Sequence, residues 1–234
     1  MLPRVLEPEV MDTPEEAVAY DSMDHSVVNA LFADQLVADL AAYRRQAGLV
    51  GGQRAMTLLD VGTGTAQIPI EICRRDPDVR IVALDLAEHM LTLGRRNVER
   101  AGLVDRIDLR CVDAKRLDWA DGEFVSVVSN SIIHHIPEPL ASFREMARVL
   151  RPGGVLFVRD LLRPATLAER DALVEQHAAG ATPQQRQLFA DSLHAALTLD
   201  EVRALSRAVG WPVEWARQTS DRHWTIRSHE SPAN

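Results

Sequence analysis

Leu58-Leu59-Asp60-Val61-Gly62-Thr63-Gly64-Thr65-Ala66 decides the fold. An apolar run ends in an acid, breaks at two glycines and passes into an amphipathic segment, the pattern of a strand, a tight turn and a helix. Glycine at 62 and 64 admits backbone conformations closed to other residues and lets a ligand approach the main chain where a Cβ would stand. In an open α/β sheet such a turn lies at the carboxyl end of the first strand, where nucleotide-like ligands bind.

Outward from this turn, strands are expected near 56–61, 80–84, 107–111, 124–129 and 154–160, alternating with helices at 66–75, 87–101 and 138–149. Strands alternating with helices imply a parallel sheet. Before it, Thr13-Pro14-Glu15-Glu16 combines an N-cap, a proline and a capping-box glutamate. A second helix from about 26 to 47 carries Val27, Leu31, Phe32, Leu36 and Leu40 at helical spacing, and Gly48 and Gly51-Gly52 end it. Beyond Pro164, Thr166…Glu169, Thr182…Gln185 and Thr198…Glu201 each announce a helix as capping boxes. Val213–Arg217 and His223–Arg227 read as a closing hairpin. The expectation is one α/β domain over 1–234, with a Rossmann-like, seven-stranded, mostly parallel sheet and a C-terminal antiparallel hairpin. Residues 1–52 form a helical N-terminal cap and 53–162 the ligand-binding core. Residues 163–197 form a helical lid insertion after the fifth strand, and 198–234 the last helix and hairpin.

With 234 residues, 46% of them hydrophobic, the chain can build a full core. Its apolar runs fall short of a membrane span and its start lacks a signal-peptide pattern, so a cytoplasmic protein without membrane partners is expected. A formal charge of −8 disfavours nucleic acid, whose binding needs basic side chains against phosphates. Cys73 and Cys111 are isolated and expected as buried thiols.

A dinucleotide-binding turn would read Gly-x-Gly-x-x-Gly, and Gln67 stands at the third glycine. The turn reads Asp-x-Gly-x-Gly-x-Ala instead. Downstream, Ile81-Val82-Ala83-Leu84-Asp85-Leu86 ends in an acid whose two acceptors suit two ribose hydroxyls. Cys111-Val112-Asp113-Ala114 and Ser129-Asn130-Ser131 end the next two strands, and Leu150-Arg151-Pro152-Gly153-Gly154 turns into the fifth. Together these stretches resemble the class I S-adenosylmethionine-dependent methyltransferases, in detail over about 54–160 and, with the hairpin, to about 228. Ile133-His134-His135-Ile136-Pro137 looks most like the small-molecule enzymes of ubiquinone and menaquinone biosynthesis. The resemblance implies an S-adenosylmethionine cofactor and methyl transfer to a small molecule at oxygen, nitrogen or carbon. It puts Gly62, Thr63, Gly64 and Asn130 near the methionine part, with Asp60 bonding the loop or reaching the ammonium. Asp85 takes the ribose hydroxyls, and Leu86 and Met90 are also expected on the cofactor. Asp113 takes the adenine amino group and Ala114 the ring.

Methyl transfer from a sulfonium is an in-line displacement, so holding the partners in line and excluding water does most of the work. His135 follows the fourth strand where the methyl group would lie and is the candidate base. Asp24 and His25, between the first two helices, are further catalytic candidates, although a plain linker with Asp24 as N-cap fits equally. Arg159-Asp160, Asp221-Arg222-His223-Trp224, Gln184–Phe189 and His194 are possible pocket residues. No metal is expected at His134 and His135, because adjacent side chains seldom converge on one ion. The rival readings are a nicotinamide-dependent oxidoreductase and a non-catalytic module that binds S-adenosylmethionine.

Overall fold

The computed structural model describes residues 2–10, 12–23, 25–50 and 55–229. The N-terminal helices are α1 (Pro14–Asp21) and α2 (Ser26–Gln46). The core runs β1 (Met56–Val61), α3 (Gln67–Arg75), β2 (Val79–Asp85), α4 (Glu88–Ala101), β3 (Ile107–Cys111), β4 (Phe124–Asn130), α5 (Leu140–Val149) and β5 (Leu150–Leu161). Helices α6 (Leu167–His177), α7 (Pro183–Ala195) and α8 (Leu199–Ala208) then precede β6 (Ala216–Gln218) and β7 (His223–Arg227).

The sheet order is β3-β2-β1-β4-β5-β7-β6. The first five strands pair in parallel, and β7 runs antiparallel to both β5 and β6. Strand periodicity sends alternate side chains to opposite faces. Leu58 therefore packs with Phe32, Leu36 and Ile72 in a layer formed with α2, α3 and α4. Leu59 and Val61 pack with Phe143, Met146 and Val202 in a layer formed with α5 and α8. Because the order reverses between β1 and β4, the chain leaves these strands in opposite directions and opens a crevice at their carboxyl ends.

Capping explains most helix starts. Thr13, Thr182 and Thr198 each form a complete capping box. Thr166 caps α6 from its side chain alone, since Glu169 Oε2 accepts from the Ala165 N–H instead. At α2 the cap position belongs to His25, which supplies no side-chain cap, and not to Asp24. Two strand bounds differ from the sequence reading. Strand β5 begins at Leu150 and takes in the Arg-Pro-Gly-Gly run, and Val213–Trp215 is a 3-10 turn, leaving β6 three residues. Both cysteines are free thiols, but Cys111 lies exposed on the edge strand while Cys73 is buried. Residues 51–54, which hold the expected boundary between cap and core, lie outside the described residues. Among the described residues, no helix is long and apolar enough to cross a membrane.

Candidate functional site

At the crevice lies an open cleft bounded by the ends of β1, β2, β3 and β4. The chain is bent sharply around it. Gly62 and Gly64 have φ of +78° and +55°, and two residues with side chains, Ala66 and Ser131, also lie in the left-handed region. Left-handed backbone at a non-glycine residue costs energy and is concentrated at ligand sites.

The turn after β1 is held by the end of β2. Gly62 and Thr63 donate their N–H groups to the Leu84 carbonyl at 2.8 and 2.9 Å, and Gly64 donates to Asp85 Oδ2 at 2.7 Å. Asp85 Oδ1 accepts from the Ala87 N–H at 2.9 Å, so the same carboxylate also serves the start of α4. Each oxygen has two lone pairs and keeps one for a ligand hydroxyl. Burial raises the Asp85 pKa, against the lowering by these backbone donors.

Below the turn, Asp60 is buried and its Oδ2 has no hydrogen-bond partner. Burial pushes its carboxyl up to about 7, with the Thr63 hydroxyl opposing and the Asp85 charge adding to the rise. A buried carboxylate oxygen left bare is costly unless a cation or donor completes it. On the far wall, Asp113 Oδ1 accepts the Lys115 N–H at 2.9 Å, while the Lys115 ammonium pairs with Asp113 and with Glu9.

Gly62, Gly64, Asp85, Leu86, Met90, Asp113, Ala114 and Asn130 all line the cleft. Asp60 and Thr63 are buried and are not among its lining residues. His135 borders the cleft from the 3-10 turn Ile133–His135. Burial, helped by the neighbouring His134 charge, drops its pKa to about 3, so the ring is neutral at physiological pH. His25 is not with it. Its ring lies against Tyr20, centroids 5.2 Å apart, in a separate polar groove with Asn29, Gln67 and Asn97. Asp24 lies outside the described residues.

The sequence reading missed the cleft's fourth wall. Residues 2–10, which show no periodicity, form a strap whose Glu9 and Val10 line the cleft beside Tyr20. Arg4 anchors the strap by donating to the carbonyls of Ile136 and Pro137 at 2.9 Å, His134 at 3.1 Å and Ala195 at 2.6 Å. No residue of the 163–197 insertion lines the cleft. Instead the insertion holds the strap, through Leu2 N–H to the Ala165 carbonyl, Val5 N–H to the His194 carbonyl, and Ser192 Oγ to Glu7. Among the other pocket candidates, Arg159, Asp160 and Asp221 are engaged elsewhere. Arg159 reaches Gln35 and Thr225, and Asp221 pairs with His177 and Arg222. Asp160 is buried and bonded to His134.

An open α/β sheet with this strand order, glycine turn and row of strand-end acids defines a nucleoside-cofactor protein of the Rossmann-like kind. Residues 59–158 match the family model described as a methyltransferase domain. The ubiquinone/menaquinone biosynthesis C-methyltransferase of Dinoroseobacter shibae is 42% identical over 107 residues, 44% of this chain and 42% of that protein. The 27-O-demethylrifamycin SV methyltransferase of Amycolatopsis mediterranei is 28% identical over 176 residues, 75% of this chain and 61% of that one. A solved S-adenosylmethionine-dependent methyltransferase of Aquifex aeolicus superposes with a TM-score of 0.59 at 18% identity, over 92% of this chain and 97% of the other, and shows the shared fold. The chain spans about half the length of these curated relatives. Over residues 59–158 it carries a methyltransferase domain and is similar to the class I S-adenosylmethionine-dependent methyltransferases.

Proposed function

We propose that the protein transfers a methyl group from S-adenosylmethionine to a small-molecule acceptor. The observation that carries this reading is the cleft where four strand ends meet the Gly62–Gly64 turn, lined by Asp85, Asp113 and Asn130, with Asp60 Oδ2 buried and unpartnered beneath the turn. Such a row of carboxylates suits an ammonium and a ribose better than a dinucleotide pyrophosphate. The Gly62–Gly64 turn and Asp60 would hold the amino-acid end, with Asn130 beside it. The free lone pairs of Asp85 suit the ribose, and Asp113 with Ala114 suits the adenine. Bound there, the cofactor supplies an electrophilic methyl group on a sulfonium.

What the chain itself contributes is alignment and exclusion of water. Val10, Tyr20, Ile132 and Ile136 give the cleft an apolar wall beside Asn130 and His135. His135, the candidate base, is neutral at physiological pH and borders the acceptor's side of the cleft, and proximity and desolvation supply most of the rate. His25 stands behind Tyr20 and borders a separate groove.

The test is calorimetry with S-adenosylhomocysteine and with NAD, followed by transfer from label-bearing S-adenosylmethionine into a metabolite extract. Binding of S-adenosylhomocysteine with a labelled product is expected. Binding of NAD alone would overturn the reading, and cofactor binding without product across broad extracts would favour a non-catalytic module.

A further inference from the structure

We propose that Glu7, His134 and His135 bind one divalent transition-metal ion of the zinc class, which ties the N-terminal strap to the loop after β4. His135 Nδ1 and Glu7 Oε2 stand 3.3 Å apart, and one ligand atom from each of the three residues lies within 4.8 Å of the others. Ligands about 2.0–2.2 Å from a tetrahedral zinc are roughly 3.3–3.6 Å from one another. The first pair is therefore at ligand spacing already, and the third closes by about 1 Å to join it.

The cluster is not a solvated surface group. The side chains of His134, Glu7 and His135 are 4%, 12% and 15% exposed. His135 Nδ1 is buried without a hydrogen bond. Adjacency argued against convergence, yet the 3-10 turn sets the two imidazoles side by side with centroids 4.2 Å apart.

Each flanking ligand also has a partner behind it. His134 Nδ1 bonds Asp160 Oδ1 at 2.5 Å, which leaves Nε2 to ligate. A carboxylate behind a ligating imidazole fixes its tautomer and orientation in established metal sites. Glu7 accepts from Ser192 Oγ at 3.0 Å. Once His134 gives up its Nε2 proton, the two carboxylates Glu7 and Asp160 with two neutral imidazoles balance the charge of a divalent ion. Glu7 is the single ligand from the strap, two residues before Glu9, so an ion here would fasten the segment that walls the cleft.

The site requires neither cofactor nor turnover, so its test stands apart from the methyl-transfer reading. Full-length protein is stripped with a chelator and titrated with Co²⁺, then with Zn²⁺, in the absence of cofactor. One equivalent of Co²⁺ should give the visible absorption of a tetrahedral site, and Zn²⁺ should displace it. Glu7→Gln and His135→Asn should each weaken binding at least tenfold, whereas Asp221→Asn, at the separate His177 pair, should not. Zn²⁺ should also slow hydrogen exchange over residues 2–10 in the parent protein and leave Glu7→Gln unchanged. If His135→Asn does not fold, Glu7→Gln decides. Absence of the absorption band, or binding and protection indifferent to Glu7→Gln, would overturn the proposal.

Discussion

The backbone N–H of Gly64 donates to Asp85 Oδ2 across 2.7 Å, so the turn after β1 and the acid ending β2 form one unit. Asp85 thus has two duties, to shape the turn and to offer its remaining lone pairs to a ribose. Asp85→Ala should remove a charge-assisted contact of about 1.5–3 kcal/mol and weaken S-adenosylhomocysteine binding by roughly 10- to 100-fold. Asp85→Asn keeps one acceptor and should fall between. Titration of the folded variants checks this, and unchanged affinity in Asp85→Ala would refute the ribose assignment.

Asp60 makes a prediction in pH. Its folded pKa of about 7 lies above the ordinary 3.8, so between those values the folded chain holds a proton that the unfolded chain has lost. The stability this lends is complete below about pH 4 and is lost as pH rises through about 7. Asp60→Asn should therefore be more stable than the parent at pH 8, by a margin that vanishes near pH 4, in urea unfolding without ligand. Binding an ammonium needs the ionised form. Affinity of the parent for S-adenosylhomocysteine should fall by up to tenfold per pH unit below about 7, while Asp60→Asn binds weakly and without that dependence.

Much of this was legible because local rules carry it. The Asp60–Ala66 turn announces a strand end, and threonines three residues before Glu or Gln announce helices. Eight residues placed on the cofactor by resemblance do line the cleft. The strap was not legible, because its anchors join residues more than a hundred positions apart, as in Arg4 to Ile136 and Glu9 to Lys115. Such contacts impose no period on the sequence. The insertion misled for the same reason. Its caps were plain, but that it holds the strap and does not line the cleft depends on side chains such as Ser192 meeting Glu7. Asp160, the penultimate residue of β5, could be read as a strand-end acid, but nothing local pointed to His134 as its partner.

Gly62 allows a steric prediction. At φ +78° any side chain is strained, and an added Cβ would sit 2.5 Å from Cβ and Cγ1 of Ile132. Gly102, at φ +69°, has nothing within 4 Å. Gly102→Ala should cost only the left-handed strain, about 1–2 kcal/mol. Gly62→Ala adds overpacking of about 1–3 kcal/mol and should also displace Ile132 in the cleft wall. Urea midpoints should rank the variants in that order, and only Gly62→Ala should lose cofactor affinity. Equal midpoints would show that the turn yields without strain.

Asp160 should be the most sensitive position in the loop after β4. It is buried, and its Oδ2 accepts from the N–H groups of Ile133 at 2.5 Å and His134 at 3.3 Å. Oδ1 accepts from His134 Nδ1 at 2.5 Å and from the Leu161 N–H at 2.6 Å. One carboxylate therefore shapes the 3-10 turn that carries His135 into the cleft and fixes the ring beside it. Asp160→Ala leaves four buried donors without an acceptor, and breaking such a buried pair costs about 3–5 kcal/mol. For a chain of this size that lowers the melting temperature by roughly 6–20 °C. Asp160→Asn keeps the volume but offers one acceptor oxygen in place of two, so its loss should be intermediate. Because the strap rests on the same loop through Arg4, hydrogen exchange over residues 2–10 should quicken in both variants, and more in Asp160→Ala. A melting temperature within a degree of the parent, with exchange unchanged, would show that the loop holds its shape without this carboxylate.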